Sequence, residues 1–173
     1  MVEKWQKGLT LVLGGAASGK SAYAETLVTE VQRPRVYIAT AQAYDPEMEN
    51  KIRAHQDQRG PDWETIEAPE ALVDVLAQIG TKKCVLIDCL TLWLSNRLLS
   101  GADLAKDRMA LLQALATCAA PVVAVSNETG LGIVPDNALA RQFRNAQGQL
   151  NQAIAAQADR VVLVTAGLPM VLK

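Results

Sequence analysis

The sequence predicts an α/β protein: one domain with a mostly parallel sheet, helices on both faces, and an antiparallel hairpin at the C-terminal edge. Three observations carry this. Short apolar runs alternate along the chain with longer helical stretches, the pattern of parallel strands buried on both sides. The first apolar run ends in a glycine-rich turn that opens a breaker-free helix. The last two, RVVLVT and PMVLK, flank a turn at Ala166-Gly167, which is short enough only for a hairpin.

The elements follow in order. Residues 9–14 (LTLVLG) read as a buried strand and residues 20–32 as a helix; residues 35–40 (RVYIAT) are a second strand. Asp45-Pro46 opens a helix expected to reach Gln58, because Asp caps well, Pro suits a first helical position, and Gly60-Pro61 ends it. Residues 63–67 (WETIE) make a short strand, 69–78 a helix opened by Pro69, and 83–88 (KCVLID) another strand. Helices are expected at 91–99 and 103–119, a strand at 121–126 (PVVAVS), and a long helix at 137–157. No repeat, linker or low-complexity tract divides the chain, so residues 1–173 read as one domain.

Composition narrows the function. The net charge is −1, so no global field draws nucleic acid or an anionic membrane to the surface, and any basic site is local. The three cysteines, Cys84, Cys89 and Cys118, lack CxxC spacing. Neither a disulfide framework nor a zinc site is indicated, and reduced thiols in the cytoplasm are the simpler reading. The polar start MVEKWQKG lacks the apolar stretch of a signal peptide. No apolar run approaches the about 20 residues that span a bilayer.

Gly14-Gly15-Ala16-Ala17-Ser18-Gly19-Lys20-Ser21 matches GxxxxGK[ST] in full. Glycines let successive backbone N–H groups curve round an anion, and the helix that follows adds its dipole. Lys20 then reaches the terminal phosphates of a nucleoside triphosphate, and the Ser21 hydroxyl is a Mg²⁺ ligand. With a strand before it and a helix after it, this loop refines the fold to a single P-loop NTPase-like (RecA-like) domain. Asp88, ending the apolar strand CVLID, is the natural carboxylate on the metal side; the alternative is a cap for the next helix.

His55 is the only histidine. It shares a helical face with Met48 and Ile52, as a residue at the edge of a packing stripe would. Lys51 and Arg59 also flank it at intervals of four. Like charges disfavour the imidazolium, and a neutral imidazole beside a triphosphate is a nucleophile towards phosphorus. Further along, Asn127-Glu128 follows a strand whose end lies on the rim where open α/β sheets bind ligands. Leu139, Phe143, Ala146, Leu150 and Ile154 form an apolar stripe on the long helix. Asn137, Arg141, Arg144, Gly148 and Asn151 form a polar line on roughly the opposite face. The two arginines are candidates for the substrate side or parts of a solvated face. Ile133-Val134-Pro135 offers apolar surface to a large, partly apolar substrate.

Together, "LGGAASGKSAYAE", "YIATAQAYDPEMENKIRAHQDQRGPDW", "SNETGLGIVPDNALARQFRNAQGQLNQAIA" and "VVLVTAGLP" closely resemble the bifunctional adenosylcobinamide kinase/adenosylcobinamide-phosphate guanylyltransferase family of cobalamin biosynthesis. The likeness runs from Leu11 to the C-terminal hairpin. It implies that ATP or GTP, with Mg²⁺, phosphorylates the aminopropanol hydroxyl of adenosylcobinamide. GTP then guanylylates His55, and the GMP passes to adenosylcobinamide phosphate. The resemblance places nucleotide contacts on residues 14–21, on Ala39, Thr40 and Ala41, on Gln56, Asp57, Gln58 and Arg59, on Glu67 and on Asp88. It also implies a homo-oligomer, commonly a trimer. Three departures stand out: Asp88 where the family often has glutamate, Ala17 where a loop arginine is common, and Gln56 and Gln58 in a segment that is usually more basic. Two other readings compete. A small-metabolite or nucleoside kinase would make His55 structural and would release no pyrophosphate from GTP without acceptor. A nucleotide-gated binding module would need a partner surface, and no heptad repeat or basic tract supplies one.

Overall fold

Among the described residues, seven strands form one sheet in the order β3-β2-β4-β5-β1-β6-β7. This is a computed structural model that describes residues 8–42 and 60–173. The strands are β1 (Leu9–Gly14), β2 (Arg35–Ala39), β3 (Trp63–Glu67), β4 (Cys84–Asp88), β5 (Val122–Asn127), β6 (Arg160–Thr165) and β7 (Leu168–Val171). All neighbours pair in parallel except β6 and β7, which pair antiparallel as the turn at Ala166-Gly167 requires. Both turn residues have positive φ, 51° and 77°, as a two-residue turn that follows the strand twist demands.

Side chains alternate across the sheet and build two cores. Leu9, Leu11 and Leu13 of β1, with Val85 and Ile87 of β4, face one side. There they meet helices α2 (Leu72–Gln78), α3 (Leu90–Leu99), α4 (Leu104–Thr117) and α5 (Ala138–Gln157). Val12, Leu86, Val123 and Val162 face the other side, against Ala24, Leu27 and Val28 of α1 (Lys20–Thr29). The inner strands β1, β2, β4, β5 and β6 are largely buried on both faces, which is why they read as continuous apolar runs, whereas the edge strands β3 and β7 are exposed.

The element bounds differ from expectation where side chains claim the backbone. The helix expected from Pro69 starts at Leu72. The carbonyl of Pro69 accepts from Asn96 Nδ2 (2.9 Å) and that of Glu70 from Trp93 Nε1 (3.2 Å), both on α3. The first helix stops at Thr29 instead of running to residue 32. The helices at 104 and 138 start where Asp103 and Asn137 cap them: Asp103 accepts from Ala105 and Lys106 N, Asn137 from Ala140 N. The expected helix from Asp45 to Gln58, with His55, lies outside the described residues. Among the described residues, no helix is long and apolar enough to cross a membrane.

Candidate active site

The phosphate loop, residues 14–21, joins the end of β1 to α1, and β1 lies between β5 and β6. Gly14 is level with Asn127 on one side and Val164 on the other. Two neighbours fix the loop. Glu128 N donates to Gly14 O (3.0 Å), and Gly167 N, in the β6–β7 turn, donates to Ser18 O (2.8 Å). Gly19 has φ 91°, and a Cβ there would lie 3.1 Å from Gly167 Cα, so both its backbone angle and its neighbour call for glycine. Ala17 also adopts positive φ, 53°. Ser18 is buried against Gly14, whereas Gly15, Ala16 and Ala17 are exposed. Lys20 Nζ donates to Gly15 O (3.0 Å), so the ammonium lies across the loop. Ser21 is half-buried in the first turn of α1.

Asp88 ends β4, and Tyr37 of β2 donates its hydroxyl to Asp88 Oδ2 (3.1 Å). The Tyr37 ring stands edge-on to Trp63, 6.2 Å between centroids, which fixes the direction of that hydroxyl. β4 is two strands from β1, about 10 Å at ordinary strand spacing. Ser21 and Asp88 offer a hydroxyl and a carboxylate, hard oxygen donors of the kind Mg²⁺ takes together with water and phosphate oxygens. The residues present therefore fit that ion. Among the described residues, no group of three or more His, Cys, Asp or Glu forms a denser metal site.

The other sequence candidates spread along the same rim. Thr40 is fully buried. Its hydroxyl donates to Cys89 O (2.6 Å) and accepts from Cys89 N (2.8 Å). It therefore locks the end of β2 to the start of α3; of this trio, only Ala41 is more than marginally exposed. Glu67 is exposed at the end of β3, four strands from β1, about 19 Å by strand spacing. The structure does not bring it to the phosphate loop. Glu128 Oε1 accepts from Gly130 N (2.7 Å) and so shapes its own loop. Arg141 Nη1 donates to Pro135 O (2.9 Å) and Asp136 O (2.8 Å), bracing the entry to α5. Arg144 is half-buried and makes no hydrogen bond or ion pair among the described residues. Gln56, Asp57, Gln58 and Arg59 lie with His55 outside them.

One group escaped the sequence reading. Asn151 does not face solvent with the polar line; it is 5% exposed, and Gln147 is fully buried. Gln147 Nε2 donates to Ser126 Oγ (2.8 Å) and Asn151 Oδ1 (3.0 Å), and Ser126 Oγ donates to Asn151 Oδ1 (2.6 Å). Asn151 Nδ2 donates to Asn127 O (3.0 Å), and Asn127 N donates to Thr91 Oγ1 (2.7 Å). Three elements thus hold the Asn127–Glu128 peptide against the phosphate loop. The available signal was Gln147 and Asn151 at i and i+4, bordering the apolar stripe that carries Leu150 and Ile154. At the stripe's other end, Leu139 is 52% exposed. Burial raises all three thiols, Cys84, Cys89 and Cys118, above the usual range, so none is poised as a thiolate nucleophile.

Comparison with known proteins agrees with this fold and places the chain in a family. Two solved structures share the fold. The flagellar accessory protein FlaH from Methanocaldococcus jannaschii aligns with TM-score 0.56 at 12% identity, over 97% of this chain and 79% of its own. The RadB recombinase aligns with TM-score 0.50 at 15% identity, over 91% and 74%. Curated relatives are much nearer in sequence. The bifunctional adenosylcobalamin biosynthesis protein CobP of Pseudomonas aeruginosa is 47% identical over 166 residues, 94% of this chain and 96% of its own. The CobU proteins of Salmonella typhimurium and Escherichia coli are 40% and 38% identical, each over 95% of this chain and 99% of theirs. The model of the CobU family, Cobinamide kinase / cobinamide phosphate guanyltransferase, matches residues 10–172. A match along nearly the whole chain, on a P-loop fold whose loop is intact, means that this protein belongs to the family of bifunctional cobinamide kinases and cobinamide phosphate guanyltransferases.

Proposed function

We propose that the protein phosphorylates adenosylcobinamide and then converts the product to adenosylcobinamide-GDP, using one phosphate loop for both steps. The family match over residues 10–172 carries this reading, and the braced loop at residues 14–21 supports it. In the first step the aminopropanol hydroxyl attacks the γ-phosphorus of ATP or GTP, and its proton passes to water. The bond from that phosphorus to the β,γ-bridging oxygen breaks, and the nucleoside diphosphate leaves. Lys20 and the loop N–H groups stabilise the transferring charge. In the second step a neutral His55 nitrogen attacks the α-phosphorus of GTP, and pyrophosphate leaves. A phosphate oxygen of adenosylcobinamide phosphate then displaces the imidazole, and GMP moves to the acceptor. Ser21 and Asp88 would hold Mg²⁺, which supplies charge neutralisation at the phosphates. Asn127 and Glu128, fixed against Gly14, and the cations Arg141 and Arg144 serve the acceptor side. Ala39, Thr40, Ala41, Glu67 and residues 56–59 serve the nucleotide. Reduced thiols suit a cytoplasmic setting, and the exposed apolar edge strand β7 supports self-association, as a trimer by the family resemblance.

The test is intact mass after incubation with GTP and Mg²⁺ without acceptor. A mass gain of one GMP is expected. A phosphorus–nitrogen bond to imidazole leaves readily once the ring is protonated, so the adduct is expected to break in acid and persist in alkali. His55→Ala should abolish the adduct and guanylyl transfer while phosphorylation of adenosylcobinamide continues. Label that survives acid would put the nucleotide on another residue. Equal loss of both activities in a folded His55→Ala protein would make the histidine structural.

A further inference from the structure

A groove of about 600 Å³ runs between α5, the loop after β5 and the C-terminal residues. Its walls are largely apolar, with Leu131, Ala155, Val161 and Leu172, and Glu128 and Gln152 supply polar groups. It abuts the phosphate loop directly. Leu13, which lines it, precedes Gly14, and Glu128 N is bonded to Gly14 O. Gly148 also lines it, in the interior of α5. A Cβ at Gly148 would meet no atom within 4 Å. Glycine weakens a helix interior relative to alanine, and no neighbour among the described residues explains the missing side chain. One turn before Gly148, on the same line of the helix, is Arg144, which has no bonded partner among the described residues.

We propose that this groove binds the corrin macrocycle of the acceptor and that Gly148 keeps its wall open for the ring; the proposal rests on the two-step reading above. Cobinamide chemistry matches the lining. Its macrocycle carries methyl groups that apolar walls accept and carboxamide arms that Gln152 can hydrogen-bond. An alkylcobalt(III) corrin bears one positive charge, which complements Glu128. The Lys173 ammonium, also in the lining, is occupied by Ala155 O and Ala156 O at 3.1 and 3.0 Å. A macrocycle seated here has its aminopropanol arm beside Glu128 and therefore next to the phosphate loop. Arg144, a turn nearer the rim, then meets the phosphate of the second acceptor.

The experiment compares wild type, Gly148→Ala and Gly148→Phe for KM of adenosylcobinamide in the kinase reaction, nucleotide Kd, thermal midpoint and mass in solution. In Gly148→Phe, KM should rise about tenfold or more while nucleotide Kd stays within about twofold. Gly148→Ala keeps the test valid if the Phe variant does not fold: its thermal midpoint should rise, yet KM should still increase about two- to threefold. An unchanged KM in the folded variants overturns the groove assignment and leaves the two-step reading standing. A change in mass with KM unchanged also overturns it, and makes the groove a contact with a second copy of this chain. Failure of the wild type to bind or turn over adenosylcobinamide overturns both.

Discussion

At Gly14 the backbone turns out of β1 with no space for a side chain. A Cβ there would fall on the Ser18 hydroxyl and 2.7 Å from Val164 O. The carbonyl belongs to β6 and cannot yield without breaking the β1–β6 pairing, so Ser18 must move, and the loop with it. Gly14→Ala should therefore weaken nucleotide binding about tenfold or more, measured by titration, with secondary structure by circular dichroism retained. Wild-type affinity in this variant would show that the loop adapts freely. The GxxxxGK[ST] spacing announced this position, because few other chemistries need glycines there. The inward turn of Ser18 was not legible, since a serine in a loop is ordinarily exposed.

Between elements, polar side chains decide which ends meet. Thr40 carries both bonds that tie the end of β2 to Cys89, and Asn96 Nδ2 donates to Thr40 O (2.9 Å). Thr40→Val keeps the volume but leaves Cys89 N and O without this partner. The expected loss is about 2 kcal/mol, or a thermal midpoint lower by about 4–8 °C in a domain of this size. A midpoint unchanged from wild type would mean that water or a rotated backbone replaces the hydroxyl. Periodicity found β2 and β4, but not this clasp: their apolar patterns record burial, whereas the clasp depends on two segments about 50 residues apart meeting at one rim. The same limit explains Asn151. Helical spacing put it in line with Arg141 and Arg144, yet only the packing of α5 on β5 shows that its amide turns inward to Ser126 and Asn127.

Across the whole molecule, the sheet ends at β7 with an open edge. Leu168, Met170 and Val171 of that strand are each more than half exposed. An apolar edge strand left open is a template for pairing. Leu168→Lys with Met170→Lys should shift the protein from oligomer to monomer in sedimentation velocity. A wild type that is already monomeric at micromolar concentration would remove the expectation. A double variant that remains oligomeric would move the interface elsewhere.

Within residues 8–42 and 60–173, the order of strands and helices, the phosphate loop and the terminal hairpin were determined by the sequence alone. Each rests on local chemistry: apolar runs of strand length, glycines with a lysine and serine at fixed spacing, and a two-residue turn. The tertiary structure decided what local chemistry cannot encode. Strand order places Asn127 level with Gly14 and Glu67 at the far edge, because neighbours in a sheet are set by crossover connections rather than by sequence distance. It also turned Gln147 and Asn151 into a buried brace, because a polar side chain becomes structural only when packing removes water and a partner stands opposite.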